Sequence, residues 1–253
     1  MAVDPPVLYN GYWVYTRVLD SAYGSHSQRQ IDNAYQFRAG LQAQGYCEKA
    51  IAGILGCAQV ESGINPGAIQ KWSVLPNNAE SLSDVPNSVM LQYYTPTAGG
   101  QGYGLGFLQW DRYSSTYGTH DLLGWEDRNG YVWYDGAGQL ARLEFEYTND
   151  STYHFWQNNY GAQLTWTAYK NIETTFPTYN AGEVANVWTS CWERSSLDPS
   201  GRQHRRDNAE YWYQYFLDNP DPPTPPTPPF DKPWLLFAMK QRKKVEKNVK
   251  RII

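Results

Sequence analysis

The stretch AIAGILGCAQVESGINPG, residues 50–67, decides the fold. Together with Cys47 just before it, Ile51, Ile54, Leu55 and Ala58 recur at the spacing of a core-facing helix. Gly63 supplies a stop, and Pro66 prevents continuation. Glu61 falls in the last turn of this helix. It lies seven residues after Ile54 and three after Ala58, on the apolar stripe rather than the wet face. A carboxylate there meets both a desolvating environment and the negative end of the helix dipole, and each disfavours its charge. A carboxyl group kept protonated is what glycosidic cleavage needs, because the leaving sugar oxygen departs poorly until it receives a proton. Position alone equally allows a surface or salt-bridged glutamate at a frayed helix end.

Working outward, helical periodicity dominates residues 30–218. Ile31, Ala34, Tyr35, Phe37, Arg38 and Leu41 form an imperfect stripe ahead of Gly45. Leu140, Leu143 and Tyr147 mark another helix, and Val184, Val187, Trp188 and Cys191 a stronger one. Asn180 followed by Glu183 gives the stronger one a capping-box start. Ala209, Trp212, Tyr213 and Phe216 close the series. Between Gly67 and Gly106 no period is sustained, and Asn, Ser, Pro and Gly abound. A stretch that long predicts a functional loop or a small irregular β region. The expected architecture is mainly α: an α+β domain with a small β/loop lobe inserted after the helix that carries Glu61.

The second constellation is GYGLGFLQW, residues 102–110. Its alternating glycines, Gly104 among them, permit close approach of backbone to a ligand or to another chain segment. Gln109 offers a donor and an acceptor to sugar hydroxyls or an N-acetyl group. Tyr103 and Trp110 can stack on sugar faces. The same residues also suit a tight turn feeding a buried strand. No phosphate loop is present, since the G-K-[ST] ending is missing.

Composition narrows the function classes. With 41% apolar and 18% charged residues, the chain fits a soluble globular protein. No run approaches the roughly 20 apolar residues of a membrane-spanning helix. The first residues lack the basic start and apolar stretch of a secretory signal, so the expectation is synthesis in a cytoplasm. Cys47, Cys57 and Cys191 are odd in number and widely spaced, which predicts free thiols. His26, His120, His154 and His204 are scattered, with no HExxH or CxxC, so neither a metal site nor a cofactor is expected. Net charge is −4, but residues 230–253 carry eight basic against two acidic side chains, leaving about −10 on the rest. An acidic folded part argues against nucleic acid as partner.

The sharpest boundary is residues 219–229, NPDPPTPPTPP, which favour a stiff polyproline II spacer reaching on the order of 30 Å. The expected layout is therefore an N-terminal segment over 1–29, a catalytic domain over 30–218, a linker over 219–229 and a basic tail over 230–253. Trp234 to Met239 in that tail is a short apolar patch followed by a cationic run. Such a segment can lie on an anionic surface, dock on a partner subunit or stay solvated.

Taken together, residues 50–67 and 102–110 resemble the phage tail lysozyme family, whose pattern is A-G-I-L-G-N…E-S-G…N-P followed by G-Y-G-L-x-Q-W. Cys57 stands where the family usually has Asn, and a Gly-Phe pair is added between Leu105 and Leu108. YDGAGQLARLEFEY, NAGEVANVWTSCWER and RRDNAEYWYQYF resemble the family's later helices, so the likeness spans roughly residues 30–217. Goose-type lysozymes and soluble lytic transglycosylases are similar more distantly.

The resemblance implies a lysozyme-like fold and a peptidoglycan muramidase in a phage tail, made in the host cytoplasm and acting on the bacterial wall at genome entry. It implies Glu61 as the acid, with Ser62 supporting the turn. Tyr103, Gly104, Gln109 and Trp110 are the expected substrate contacts. Peptidoglycan is the expected partner, with other tail proteins or an anionic surface as candidates for the basic tail. Asp111, beside Gln109 and Trp110, is the candidate second carboxylate, although the family position is often not acidic and an Asp there equally suits a helix cap. Glu193 is expected to pair with Arg205 or Arg206. A lytic transglycosylase using the same Glu61, an endolysin, and a glycan-binding module without activity are the competing readings.

Overall fold

In the computed structural model the described residues are 8–9, 12–13, 28–68, 87–88, 90, 104–110, 122–149, 164–193 and 199–220. The chain divides into two units, Met1–Pro220 and Asp221–Ile253. The second unit, with most of the proline-rich spacer and the whole basic tail, lies outside the described residues, as do Tyr103 and Asp111.

Among the described residues the first unit is built of α1 (Gln28–Ala43), α2 (Glu48–Ser62), α3 (Leu122–Asn129), α4 (Gly136–Asn149), α5 (Trp166–Lys170), α6 (Ile172–Thr175), α7 (Ala181–Cys191) and α8 (Pro199–Asp218). None of these helices is long and apolar enough to cross a membrane.

The expected α+β domain is overturned: among the described residues the fold is all-helical, with no sheet layer. Extended backbone among the described residues amounts to an antiparallel pairing of Leu8–Tyr9 with Tyr12–Trp13 and one bridge between Leu105 and Trp110. The physical reason is local. Gly106 at φ 79° and Gln109 at φ 53° both sit in the left-handed region, so the chain reverses there instead of running on as a strand.

α2 sets the architecture. Every residue from Ala50 to Gln59 is buried, so α2 is a central helix enclosed on all sides rather than one with a single core-facing stripe. It packs mainly against α7 and α8, which also pack on each other. Two glycines allow this closeness. A Cβ on Gly53 would sit 2.7 Å from Tyr169 Oη and 2.8 Å from Val184 Cγ1. One on Gly56 would sit 2.6 Å from the Arg205 carbonyl oxygen and 2.7 Å from Ala209 N. The helix ends at Gly63, whose left-handed φ of 66° lets its N–H reach the Ala58 and Gln59 carbonyls.

The anticipated α7 cap is present. Asn180 Oδ1 accepts from Glu183 N at 2.8 Å, and Asn180 N donates to Glu183 Oε2 at 2.8 Å. Aromatic rings fill the interior: Trp133, Trp188 and Trp212 are fully buried. The three cysteines are free thiols, with Cys57 and Cys191 buried.

Candidate functional site

Glu61 projects from the last turn of α2 with its side chain 29% exposed. It is ion-paired: Arg205 Nη2, from α8, donates to Glu61 Oε1. The same guanidinium donates through Nε to Glu193 Oε2 at 3.2 Å. Of the two partners anticipated for Glu193, Arg205 forms the pair, and Glu61 joins it. Burial pushes the Glu193 carboxyl up to about 7; Arg205 opposes the shift and Glu61 adds to it.

Beside the end of α2 lies the 104–110 turn, fixed to it by short bonds. Ser62 Oγ donates to the Phe107 carbonyl at 2.7 Å and accepts from Asn65 N at 3.2 Å. Gly106 N donates to the Ala68 carbonyl at 2.9 Å. Leu105 and Trp110 exchange both backbone bonds, closing the turn. α1 supports it from the core through Phe37, whose ring stacks on Phe107 with centroids 3.8 Å apart. Asn33 of α1 donates to the Ile64 carbonyl at 2.6 Å, tying down the segment after α2.

Gln139 of α4 is the hub of this region, and sequence reasoning passed over it. Fully buried, it accepts from Phe107 N at 2.9 Å and donates to the Pro66 and Trp133 carbonyls at 2.7 and 2.8 Å. One side chain thus serves the segment after α2, the 104–110 turn and the approach to α4. A signal was present: Gln139, Arg142 and Glu146 are polar residues at i, i+3 and i+7 among the apolar positions of α4, and all three are buried.

The expected sugar contacts divide. Gln109 is half-buried, and its Nε2 donates to the Gly106 carbonyl at 2.8 Å. Gly104 is buried against it: a Cβ there would sit 2.6 Å from Gln109 Oε1, so this glycine makes room for the glutamine side chain. Trp110 is 3% exposed and packs edge-on against Phe107 and Trp192. Its Nε1 donates to Glu146 Oε1 at 2.9 Å, while Trp192 Nε1 donates to Glu146 Oε2 at 3.1 Å. That ring shapes the wall from within the core and presents no face outward. Cys57, at the position noted for Asn, packs with its sulfur 3.3 Å from Thr189 Oγ1.

Among the described residues no group of His, Cys, Asp and Glu could hold a metal ion.

The model of a family described as phage tail lysozyme matches residues 32–216. The chain belongs to the phage tail lysozyme family. The match runs from α1 to the last turns of α8 and so takes in Glu61, the 104–110 turn, Gln139, Glu193 and Arg205. A curated relative, Morphogenesis protein 1 of Bacillus phage B103, is 28% identical over 197 residues, covering 77% of this chain and 41% of the relative. The chain thus spans about two-fifths of the length of that relative. Membership places it with lysozyme-type proteins of phage tails.

Proposed function

We propose that this protein is a muramidase of the phage tail that cleaves the β-1,4 linkage between N-acetylmuramic acid and N-acetylglucosamine in peptidoglycan, with Glu61 as the general acid. The observation that carries this reading is the place of Glu61. It is a partly exposed carboxylate on the last turn of a buried helix, within the family match, beside a turn stapled to that helix. Proton donation to the leaving sugar oxygen is the step the residue serves. To perform it, Glu61 must take up a proton and leave its pairing with Arg205. Gln109, with Tyr103 and Gly104 nearby in sequence, lines the proposed sugar groove, and Asp111 stays the proposed second carboxylate. Action at the host wall during genome entry follows from the tail setting of the family.

Digestion of purified peptidoglycan by the full chain tests the proposal. Glu61→Gln should lower the release of reducing ends by about 100-fold or more, with the helical circular dichroism unchanged. Equal rates in the two proteins would remove Glu61 from the mechanism.

One observation favours a second outcome of the same chemistry. The carboxylate that shares Arg205 with Glu61 is Glu193, 8% exposed and engaged by the guanidinium, so it is poorly placed to activate water. With Glu193 held in this way, a site in which Asp111 does not act as base closes the sugar on its own hydroxyl. Mass spectrometry of the released muropeptides separates 1,6-anhydro ends, expected of a transglycosylase, from reducing ends.

A further inference from the structure

Arg205 stands between two carboxylates that differ in their access to water. Its Nη2 donates to Glu61 and its Nε to Glu193, while Nη1 reaches the Gly201 carbonyl at 3.3 Å. The Arg205 and Glu193 side chains are 3% and 8% exposed, against 29% for Glu61. One cation facing two anions leaves one negative charge in excess when all three groups are ionised. In a poorly solvated cluster that excess is relieved by binding a proton, shared between the coupled carboxyls.

We propose that Glu193 is a positioning residue for the acid: by engaging Arg205 it withholds part of the guanidinium charge from Glu61, so that the shared proton can reside on the carboxyl that opens to solvent. This inference rests on the reading of Glu61 as the acid. The groups facing Glu193 are Arg205 from α8 and Glu61 and Cys57 from α2. Burial raises the Cys57 thiol well above its ordinary range, so it stays neutral and adds no charge. Burial pushes the Glu193 carboxyl up to about 7, so near neutral pH the pair holds one proton, on Glu193 or on Glu61.

The arrangement makes two opposite predictions. Replacing Glu193 by Gln leaves the whole guanidinium charge to Glu61 and favours its carboxylate. Replacing Arg205 by Gln leaves two carboxylates without a cation and favours the proton. The experiment measures initial rates on purified peptidoglycan across pH for the full chain, E193Q and R205Q, and follows the Glu61 side-chain carboxyl by carbon-13 NMR in each. The alkaline limb of activity and the Glu61 titration should move together, down by about one pH unit in E193Q and up by a similar amount in R205Q.

A lower rate in E193Q with the limb and the titration unmoved would reduce Glu193 to a structural role and overturn the proposal. Absence of cleavage by the unaltered chain would strike the reading of Glu61 as acid, while the carboxyl titration would still decide whether the proton is shared. Should neither variant fold, the unaltered chain decides alone: two inflections in the Glu61 resonance support sharing with Glu193, and a single inflection overturns it.

Discussion

At the scale of single residues, polar side chains in the interior help to hold the candidate site. Gln139 meets a backbone N–H and two carbonyls on three separate segments, all buried. Leucine at this position keeps the volume but leaves three backbone groups unsatisfied, and each such loss costs about 1–3 kcal/mol. Gln139→Leu should therefore lower stability by roughly 3 kcal/mol or more in denaturant unfolding, and should reduce cleavage by loosening the 104–110 turn. The place of Glu61 in the last turn of α2 was legible in the sequence because the apolar stripe and the glycine stop bracket it. Its partner was half legible: Glu193 was expected to pair with Arg205 or Arg206, and Arg205 is the one it meets. That the same arginine also reaches Glu61 depends on the crossing of α2 with α8, which no local pattern encodes. The burial of Trp110 was hidden for a related reason: its motif neighbours carry no sign that Glu146, on another helix, captures its indole N–H and keeps the ring inside.

At the scale of elements, the α2–α8 contact is the decisive one. Gly56 lies where the two backbones come close, and the atoms a methyl group would meet are the Arg205 carbonyl oxygen and the Ala209 Cβ and backbone N. Backbone atoms in a helix cannot swing aside as the end of a side chain can. Gly56→Ala should push α8 outward and cost about 1–3 kcal/mol, measurable as a lower denaturation midpoint. Because α8 carries Arg205, cleavage should fall further than the loss of stability explains, which rates taken well below the unfolding temperature would show. The helices themselves were readable from period and caps, as at Asn180 and Gly63. Most of the stretch expected to form a β lobe lies outside the described residues; in the described 104–110 part, glycine spacing that suits a strand suits a reversing turn equally well. Burial of α2 on all sides was likewise hidden, since an apolar stripe and two small glycine faces look amphipathic until α7 and α8 pack against the glycines.

At the scale of the whole molecule, buried acids set the response to pH. Burial pushes Asp135 up to about 6 from 3.8, against the opposing hydrogen bonds from the Ala137 and Gly138 backbone at the start of α4. Burial raises Glu193, Glu144 and Glu146 in the same sense. Each group binds its proton more tightly folded than unfolded. The stability this gives is fully present below the unfolded values, near pH 4, and is lost as pH rises through about 6 for Asp135 and about 7 for Glu193. Thermal unfolding should therefore occur at higher temperature at pH 4.5 than at pH 8, by about 5 °C. Asp135→Asn, which keeps an acceptor for the helix N–H groups, should flatten the part of that fall between pH 4 and 6.

Glu61 and Arg205 are 144 residues apart in the chain, and they meet across the α2–α8 crossing. A ribosome therefore releases the carboxylate long before the cation that engages it. Throughout that interval α2 has neither the helix that covers Gly56 nor the charge that meets Glu61. The Glu61 corner is completed by the last of the described helices, and a chain cut short ahead of Pro199 lacks the guanidinium that Glu61 and Glu193 share.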